Sequence, residues 1–217
     1  MPLLWIDLET TGLDAKKDHI IEVGFCVTDN EYLPIDGIDN IVSSSLIFPN
    51  HHIMTQLNSS ENQDALKIHR DSGLLADLIS AGDGKLYSEV LSHTEGRIIN
   101  LLDLASNYIE ITDRHKWTIA GSGIHFDLEF IRLHLPVLYQ RLGYRRMDVS
   151  TIRTFFNVLG VKAYETGTSG TAHRAANDIK DHLNEVRAYT AFVSRLRGEY
   201  AHPCVLLDNA RVALDSH

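Results

Sequence analysis

The chain has few cysteines and no long apolar segment, and each shortage excludes a class of protein. Its 217 residues include two cysteines, Cys26 and Cys204, which have neither a paired nor a metal-ligand spacing. No segment approaches the roughly 20 apolar residues that a transmembrane helix needs, and no apolar stretch follows a basic amino terminus as in a secretory signal. We therefore expect a soluble protein with no membrane partner, in a reducing, cytoplasmic compartment.

Positive charge is also scarce in this sequence. Lysine and arginine number 20 against 29 acidic residues, which gives a formal net charge of −9. Sequence-independent binding to a long duplex depends on many cationic side chains that neutralise phosphates, so this charge disfavours that mode. A short nucleic-acid substrate remains compatible with the composition, because a metal site can neutralise one or two phosphates without a basic surface.

Strand patterns come first in the chain, and helix and strand patterns alternate afterwards. Five segments are predicted as strands, the first three as a meander: residues 3–8, 19–29, 40–48, 117–120 and 145–151. Four segments have helical spacing of apolar residues: 86–111, 128–138, 152–159 and 178–197. Residues 50–84 are irregular or carry short helices. This order predicts an α/β fold with a mixed five-stranded sheet flanked by helices, in one domain over residues 1–200 with a tail at 201–217.

Acidic residues interrupt these elements at three places. Asp7 and Glu9 lie two apart on the first predicted strand, so both side chains face the same side of the sheet. An unpaired charge within such an apolar strand would be costly. Asp127 follows the fourth strand, where active sites of α/β sheets are often found. His173 and Asp178 stand at the start of the last predicted helix.

Together these residues predict a metal centre. Carboxylates that converge on one point suit two hard divalent cations, Mg²⁺ or Mn²⁺, which prefer oxygen ligands. Two such ions can stabilise the attacking and the leaving oxygen when a phosphodiester is hydrolysed, and His173 could act as the general base. Other interpretations remain open at this point, since Asp127 could cap a helix and Asp178 could interact with a helix dipole. Glu22, an acid within the second strand, could support the metal site without binding the ions.

Three segments resemble the three motifs of the DEDDh branch of the DnaQ-like 3′→5′ exonucleases. The segment "WIDLETTGLD" is similar to the first motif, "GSGIHFDLEFIRLHLP" to the second and "GTAHRAANDI" to the third, in the same order and with matching separations. Within this superfamily the chain looks most similar to oligoribonuclease, through "HIIEVG", "HRDSGL" and "YRRMDVST". The resemblance covers about residues 3–189 and implies the RNase H-like fold of DnaQ-like exonucleases.

The resemblance also implies a catalytic role for each matched motif residue. His173 matches the general base, and four positions match ligands of two divalent ions, Mg²⁺ or Mn²⁺: Asp7, Glu9, Asp127 and Asp178.

Further matches concern substrate binding. Oligoribonucleases resemble one another in being homodimers whose partner subunit contributes a tyrosine near the active site, and Tyr144 matches that position. Arg145 and Ser150 match residues that help to hold the terminal phosphate, and an arginine fork suits that role. Leu13 matches an apolar residue that packs against terminal bases, and His69 matches a histidine near the same pocket.

Two positions depart from the oligoribonuclease pattern. Asp64 stands where the family has a tryptophan that can stack on a base, and Gly123 stands where it has a phosphate-contacting serine. The resemblance implies a metal-dependent 3′→5′ exoribonuclease that degrades short single-stranded oligoribonucleotides to 5′-mononucleotides. Two alternatives stay open: a broader single-strand DNA or RNA exonuclease of the proofreading or trimming type, and an inactive nucleic-acid-binding module.

Overall fold

The strands of the protein form one mixed sheet. A computed structural model describes residues 2–35, 42–58, 60–80, 86–109, 116–161 and 173–199. The strands in these ranges are β1 (Leu3–Thr10), β2 (Ile20–Thr28), β3 (Ser43–Leu46), β4 (Trp117–Gly121) and β5 (Leu142–Asp148). Their order in the sheet is β3-β2-β1-β4-β5. The first three strands pair antiparallel, and β4 and β5 add in parallel to β1 and to each other. The predicted meander and the mixed five-stranded sheet are confirmed.

The helices flank this sheet. They are α1 (His51–Leu57), α2 (Gln63–Asp71), α3 (Leu74–Ser80), α4 (Tyr87–Ala105), α5 (Ile124–His134), α6 (Pro136–Arg141), α7 (Val149–Val158) and α8 (Ala175–Glu199), with a short 3₁₀ turn at Ser60–Asn62. Among the described residues, none of these helices combines the length and apolar character that a membrane span requires. The predicted tail at 201–217, which contains Cys204, lies outside the described residues, as do residues 162–172, which include the first three residues of the third motif.

Several predicted boundaries differ from the structure. The strand predicted over 145–151 ends at Asp148, and α7 begins at Val149 and not at residue 152. The helix predicted over 86–111 ends at Ala105, and residues 110–111 lie outside the described residues. The helical segment predicted over 128–138, with Pro136 near its middle or at a break, does break there, because proline lacks the amide that would continue the helix and instead begins α6.

The central strand β1 contributes to a core on each face of the sheet. Leu4, Ile6 and Leu8 pack in a cluster with residues of α4 and α5. Leu3 and Trp5 alternate with them and pack in a second cluster with residues of α8. Burying side chains of this size stabilises the fold by about 1.5–3 kcal/mol each. These clusters hold the carboxyl end of β1 between the starts of α5 and α8.

Candidate active site

The first two acids lie near the carboxyl end of β1. Asp7 and Glu9 continue the face of the strand that carries Leu3 and Trp5, and this face packs against α8. Glu9 is buried and Asp7 is partly exposed. The strand therefore presents both carboxylates on the side of the sheet where α8 begins.

A glycine allows α8 to begin close to the sheet. Gly24 on β2 pairs with Asp7 on β1. A Cβ atom at Gly24 would lie 2.6 Å from the backbone carbonyl carbon of Ala175, the first residue of α8. Only glycine tolerates such a close backbone approach. The helix consequently brings Asp178, in its first turn, next to the strand acids.

His173 and Asp178 meet Glu9 at this position. The His173 amide donates a hydrogen bond to Asp178 Oδ2 at 3.2 Å. One ligand atom of each of the three residues, Glu9, His173 and Asp178, lies within 4.8 Å of the others. The His173 side chain is exposed, whereas Glu9 is buried. An imidazole that solvent can reach therefore borders one buried and one partly exposed carboxylate.

Asp127 joins the group from the first turn of α5. It is buried, and its Oδ1 accepts a hydrogen bond from the Leu8 amide at 3.0 Å. Leu8 lies between Asp7 and Glu9 in the chain, so this bond fixes Asp127 beside the strand acids. The structure thus brings together the five residues for which the sequence predicted metal binding and catalysis.

The start of α5 is capped by a residue that sequence reasoning missed. The carboxylate of Asp148 accepts hydrogen bonds from the amides of Gly123 and Ile124, each at 3.2 Å. Gly123 has φ 69°, a left-handed conformation that favours glycine, which accounts for its presence at this position. Since Asp148 binds these amides, helix capping does not account for Asp127.

Burial and mutual repulsion raise the pKa values of the clustered carboxyl groups. Burial raises the pKa of Asp7 well above its ordinary value, and the charges of Asp127 and Asp178 raise it further. Burial also raises the pKa of Glu9 to about 8 and that of Asp127 to about 7. The pKa of Asp178 is raised too, again mainly by burial. A divalent cation would stabilise the ionised forms of these groups, so the donor set fits a metal centre.

His69 lies behind Glu9 and not at the surface. Its Nε2 is 2.8 Å from the carbonyl oxygen of Thr10, to which it can donate a hydrogen bond. Its Nδ1 is 3.7 Å from Glu9 Oε2, too far for a hydrogen bond. Burial lowers the pKa of His69, which favours the neutral imidazole. These contacts hold the end of β1, and His69 also lines the groove beside Glu9, so the predicted role in substrate binding stays a prediction.

A groove of about 570 Å³ lies beside Glu9 and His173. Leu13, with 86% of its surface exposed, lies at its edge, and the ring of Phe126 contributes to its wall. Phe126 packs against Phe130 with ring centroids 5.0 Å apart. Four acids also line the groove: Asp14, Asp18, Glu61 and Asp64. The position where the family has tryptophan therefore does lie in this groove, and an aromatic ring reaches it from α5.

The remaining predicted substrate residues lie away from this groove. Tyr144 on β5 is 76% exposed, and the Arg145 guanidinium lies 5.0 Å from the centroid of its ring. Tyr144 lines a second cavity, of about 440 Å³, on the β5 side of the molecule. The hydroxyl of Ser150 donates a hydrogen bond to Asp148 Oδ1 at 2.5 Å, at the start of α7. Within one chain, none of these three residues lines the groove beside Glu9.

Comparisons with known proteins agree with this arrangement. The RNase T exonuclease family model matches residues 4–60. An oligoribonuclease of Mycobacterium leprae is 31% identical over 195 residues, which is 88% of this chain and 81% of the relative. An oligoribonuclease of Corynebacterium glutamicum is 28% identical over 216 residues, which is 98% of this chain and 89% of the relative.

The fold is also found in solved structures. A zinc-bound complex of E. coli exonuclease I with single-stranded DNA superposes with a TM-score of 0.58 at 15% identity. The match covers 90% of this chain but only 42% of the exonuclease I chain, so it shows a shared fold. The mixed sheet, the acids at the end of β1 and the two oligoribonuclease matches lead to one assignment: the chain belongs to the oligoribonuclease family of DnaQ-like exonucleases.

Proposed function

We propose that this protein is a metal-dependent 3′→5′ exoribonuclease that degrades short oligoribonucleotides to 5′-mononucleotides. The observation that carries the proposal is the convergence of acids from β1, α5 and α8 beside His173, in a member of the oligoribonuclease family. Asp7, Glu9, Asp127 and Asp178 would hold two divalent ions, for which Mg²⁺ and Mn²⁺ are the candidates. When bound, such ions stabilise negative charge on the attacking and leaving oxygens of a phosphodiester.

His173 is the proposed general base. Its ring is exposed to solvent and borders Glu9 and Asp178, so it can reach a water molecule at the metal centre. A neutral imidazole can take a proton from that water as the water attacks phosphorus. The carboxylates hold the metal ions in this scheme, and His173 moves the proton.

The groove supports a preference for short substrates. Its volume of about 570 Å³ lies in the range of small-molecule sites. Lys17 in the lining pairs with Asp14, and Asp18 is buried. The exposed acids Glu61 and Asp64, however, would repel the phosphates of a longer chain. Phe126 and Leu13 offer apolar surface for the terminal bases, and Phe126 can supply the stacking that Asp64 cannot.

A length series tests this function. A 5′-labelled diribonucleotide, a five-residue RNA, a 20-residue RNA and a 20-residue single-stranded DNA would be digested with Mg²⁺ or Mn²⁺. We expect 5′-mononucleotides as products and the fastest turnover on the shortest RNA. Asp7→Ala serves as the control for contaminating nucleases. A preference for the 20-residue DNA would overturn the short-RNA assignment, and an inactive wild-type protein would favour a binding module.

A broader single-strand exonuclease is the second candidate function. The observation that favours it is Asp64, which lines the groove where the family has a base-stacking tryptophan. Weaker binding of the terminal bases would reduce the preference for very short substrates over longer ones. Comparable rates on all members of the length series would support this candidate.

We also propose a homodimer in which the partner subunit supplies Tyr144. Strand β5 is an edge strand of the sheet, and Tyr144 is largely exposed on it, away from the groove of its own chain. Light scattering should give twice the chain mass, and Tyr144→Ala should lower the activity of that dimer. A cytoplasmic location also stays a prediction from the sequence.

A further inference from the structure

The backbone of His173 has an unusual conformation. Its φ angle is 73°, and Tyr32 is the only other non-glycine residue with positive φ in the described part of the chain. Side chains of L residues disfavour this region, so such a conformation persists only where surrounding contacts impose it. The contacts that hold His173 should therefore be found next to it. One of them is the hydrogen bond that the His173 amide donates to Asp178 Oδ2, at 3.2 Å.

The neighbouring residue, Arg174, makes the contacts to other elements of the fold. Its Nε and Nη2 donate to the two carboxylate oxygens of Glu22 on β2, at 3.2 and 3.3 Å. Its Nη1 donates to Asp77 Oδ2 on α3 at 2.7 Å. The Ala175 amide donates to Glu22 as well, at 3.2 Å. The fork of Arg174 thus ties the segment before α8 to a strand and to a second helix.

Glu22 relates this anchor to the proposed metal ligands. It is 1% exposed and pairs directly with Glu9 across β1 and β2. A buried carboxylate in a strand needs a partner, and a planar guanidinium is the partner best suited to bind it with two hydrogen bonds. The bonds from Arg174 to Glu22 therefore fix residue 173 relative to the strand that presents Glu9.

We propose that Arg174 is a positioning residue for the reaction. It sets the His173 imidazole against the carboxylates through its bonds to Glu22 and Asp77, without contact with the substrate. This inference rests on the proposed function, because it assigns a purpose to the geometry of the proposed general base. It predicts that weakening the hydrogen bonds of Arg174 to Glu22 and Asp77 slows the chemical step and leaves substrate binding unchanged.

Steady-state kinetics on the diribonucleotide test this role. Arg174→Lys keeps the charge but loses the planar fork, and Arg174→Met loses both. We expect kcat to fall by about 10-fold to 100-fold, the usual range for groups that orient a catalytic residue. In Arg174→Lys, which keeps the positive charge beside Glu22, KM and the Mn²⁺ concentration for half-maximal rate should stay within about twofold. Asp77→Ala, which removes only the hydrogen bond to the exposed Asp77, should lower kcat by about 2-fold to 5-fold.

A second arginine pair in the chain provides a matched control. Arg153 on α7 donates to both carboxylate oxygens of Glu185, at 2.7 and 2.6 Å, and Glu185 is buried. Glu185 lies two helical turns beyond Asp178 on α8. Arg153→Met should lower thermal stability to a similar extent as Arg174→Met but leave kcat unchanged. An equal fall of kcat in both variants would make Arg174 a structural residue only.

A double-mutant cycle separates positioning from a direct role. If Arg174 acts through His173, Arg174→Lys should add no further loss in the His173→Ala background. An additive loss, or wild-type kcat in Arg174→Lys, would overturn the inference while the proposed function stands. A wild-type protein without metal-dependent nuclease activity would instead overturn the proposed function, and the positioning role with it.

Discussion

His173 and Asp7 have different proposed roles, and single substitutions should separate them. His173→Ala should lower kcat by about 10²-fold to 10⁴-fold, because it removes a positioned general base. The Mn²⁺ dependence of the residual rate should change little, since four carboxylates remain. Asp7→Ala should abolish activity at every Mn²⁺ concentration. Single-turnover rates across an Mn²⁺ titration check both outcomes, and near-normal rates in both variants would contradict the assigned roles.

Phe126 is expected to contribute to substrate binding through stacking. Its ring lines the groove close to the catalytic acids, and stacking of a base on an aromatic ring contributes about 1–3 kcal/mol. Phe126→Ala should therefore raise KM for a diribonucleotide by roughly fivefold or more, whereas Phe126→Trp should keep it near the wild-type value. Phe155→Ala is the matched control, since Phe155 is an exposed aromatic residue that does not line the groove. An unchanged KM in Phe126→Ala would exclude stacking on this ring.

Residues whose role depends on local spacing could be predicted from the sequence, and residues whose role depends on distant contacts could not. Asp7 and Glu9 share a face because side chains on a strand alternate. Arg174 gains its role from Glu22, which lies 152 positions away in the chain. Glu22 was predicted to support the site, but no pattern in the sequence identified its partner.

Asp148 binds backbone amides at the first turns of both α5 and α7, and its substitution should destabilise both helix N-termini. Its carboxylate accepts hydrogen bonds from Gly123 and Ile124 on one side and from Ser150 and Thr151 on the other. A lost helix cap costs about 0.5–2 kcal/mol, so Asp148→Ala should lower the free energy of unfolding by roughly 1–4 kcal/mol. Denaturant titration measures this loss, and Asp148→Asn, which keeps one acceptor oxygen, should lose less.

The same residue shows which helix boundaries a sequence reveals. An aspartate immediately before a helical segment is a recognised start signal, so the cap of α7 could have been found locally. The cap of α5 could not, because Asp148 lies 24 positions beyond Ile124 and reaches it only through the pairing of β4 and β5. The helix predicted over 86–111 was predicted too long, because its apolar spacing continues past Ala105, where the chain turns.

The sheet order explains why acids that are distant in the sequence form one site. Strand β4 adds in parallel beside β1, so the carboxyl ends of both strands lie at the same edge. Helix α5 begins after β4 at that edge, and α8 packs across the face of β1 that carries Asp7 and Glu9. The meander of β1 to β3 supplies Glu22 from the neighbouring strand. The fold thereby brings several carboxyl groups together in a largely buried site, so its stability depends on pH and on metal ions.

The metal-free protein should lose stability as the pH rises from about 4 to about 8. The folded state raises the pKa of Glu9 to about 8 and that of Asp127 to about 7, above their ordinary values of 4.5 and 3.8. Between these limits the native state retains protons that the unfolded chain has released. The stability that these protons provide is complete below about pH 4 and is lost as the pH rises through the folded-state values. Melting curves in a chelator, recorded from pH 5 to pH 8, measure this loss.

Divalent metal should reverse the effect, and more strongly at pH 8 than at pH 6. Metal ions bind the deprotonated carboxylates of the native state, and ligand at 100 times its Kd stabilises that state by about 2.7 kcal/mol. For a chain of this size, that corresponds to a rise in Tm of roughly 5–11 °C. Glu9→Gln should show a weaker pH dependence without metal and a smaller response to Mn²⁺. Equal melting temperatures with and without Mn²⁺ at pH 8 would contradict a metal centre built from these carboxylates.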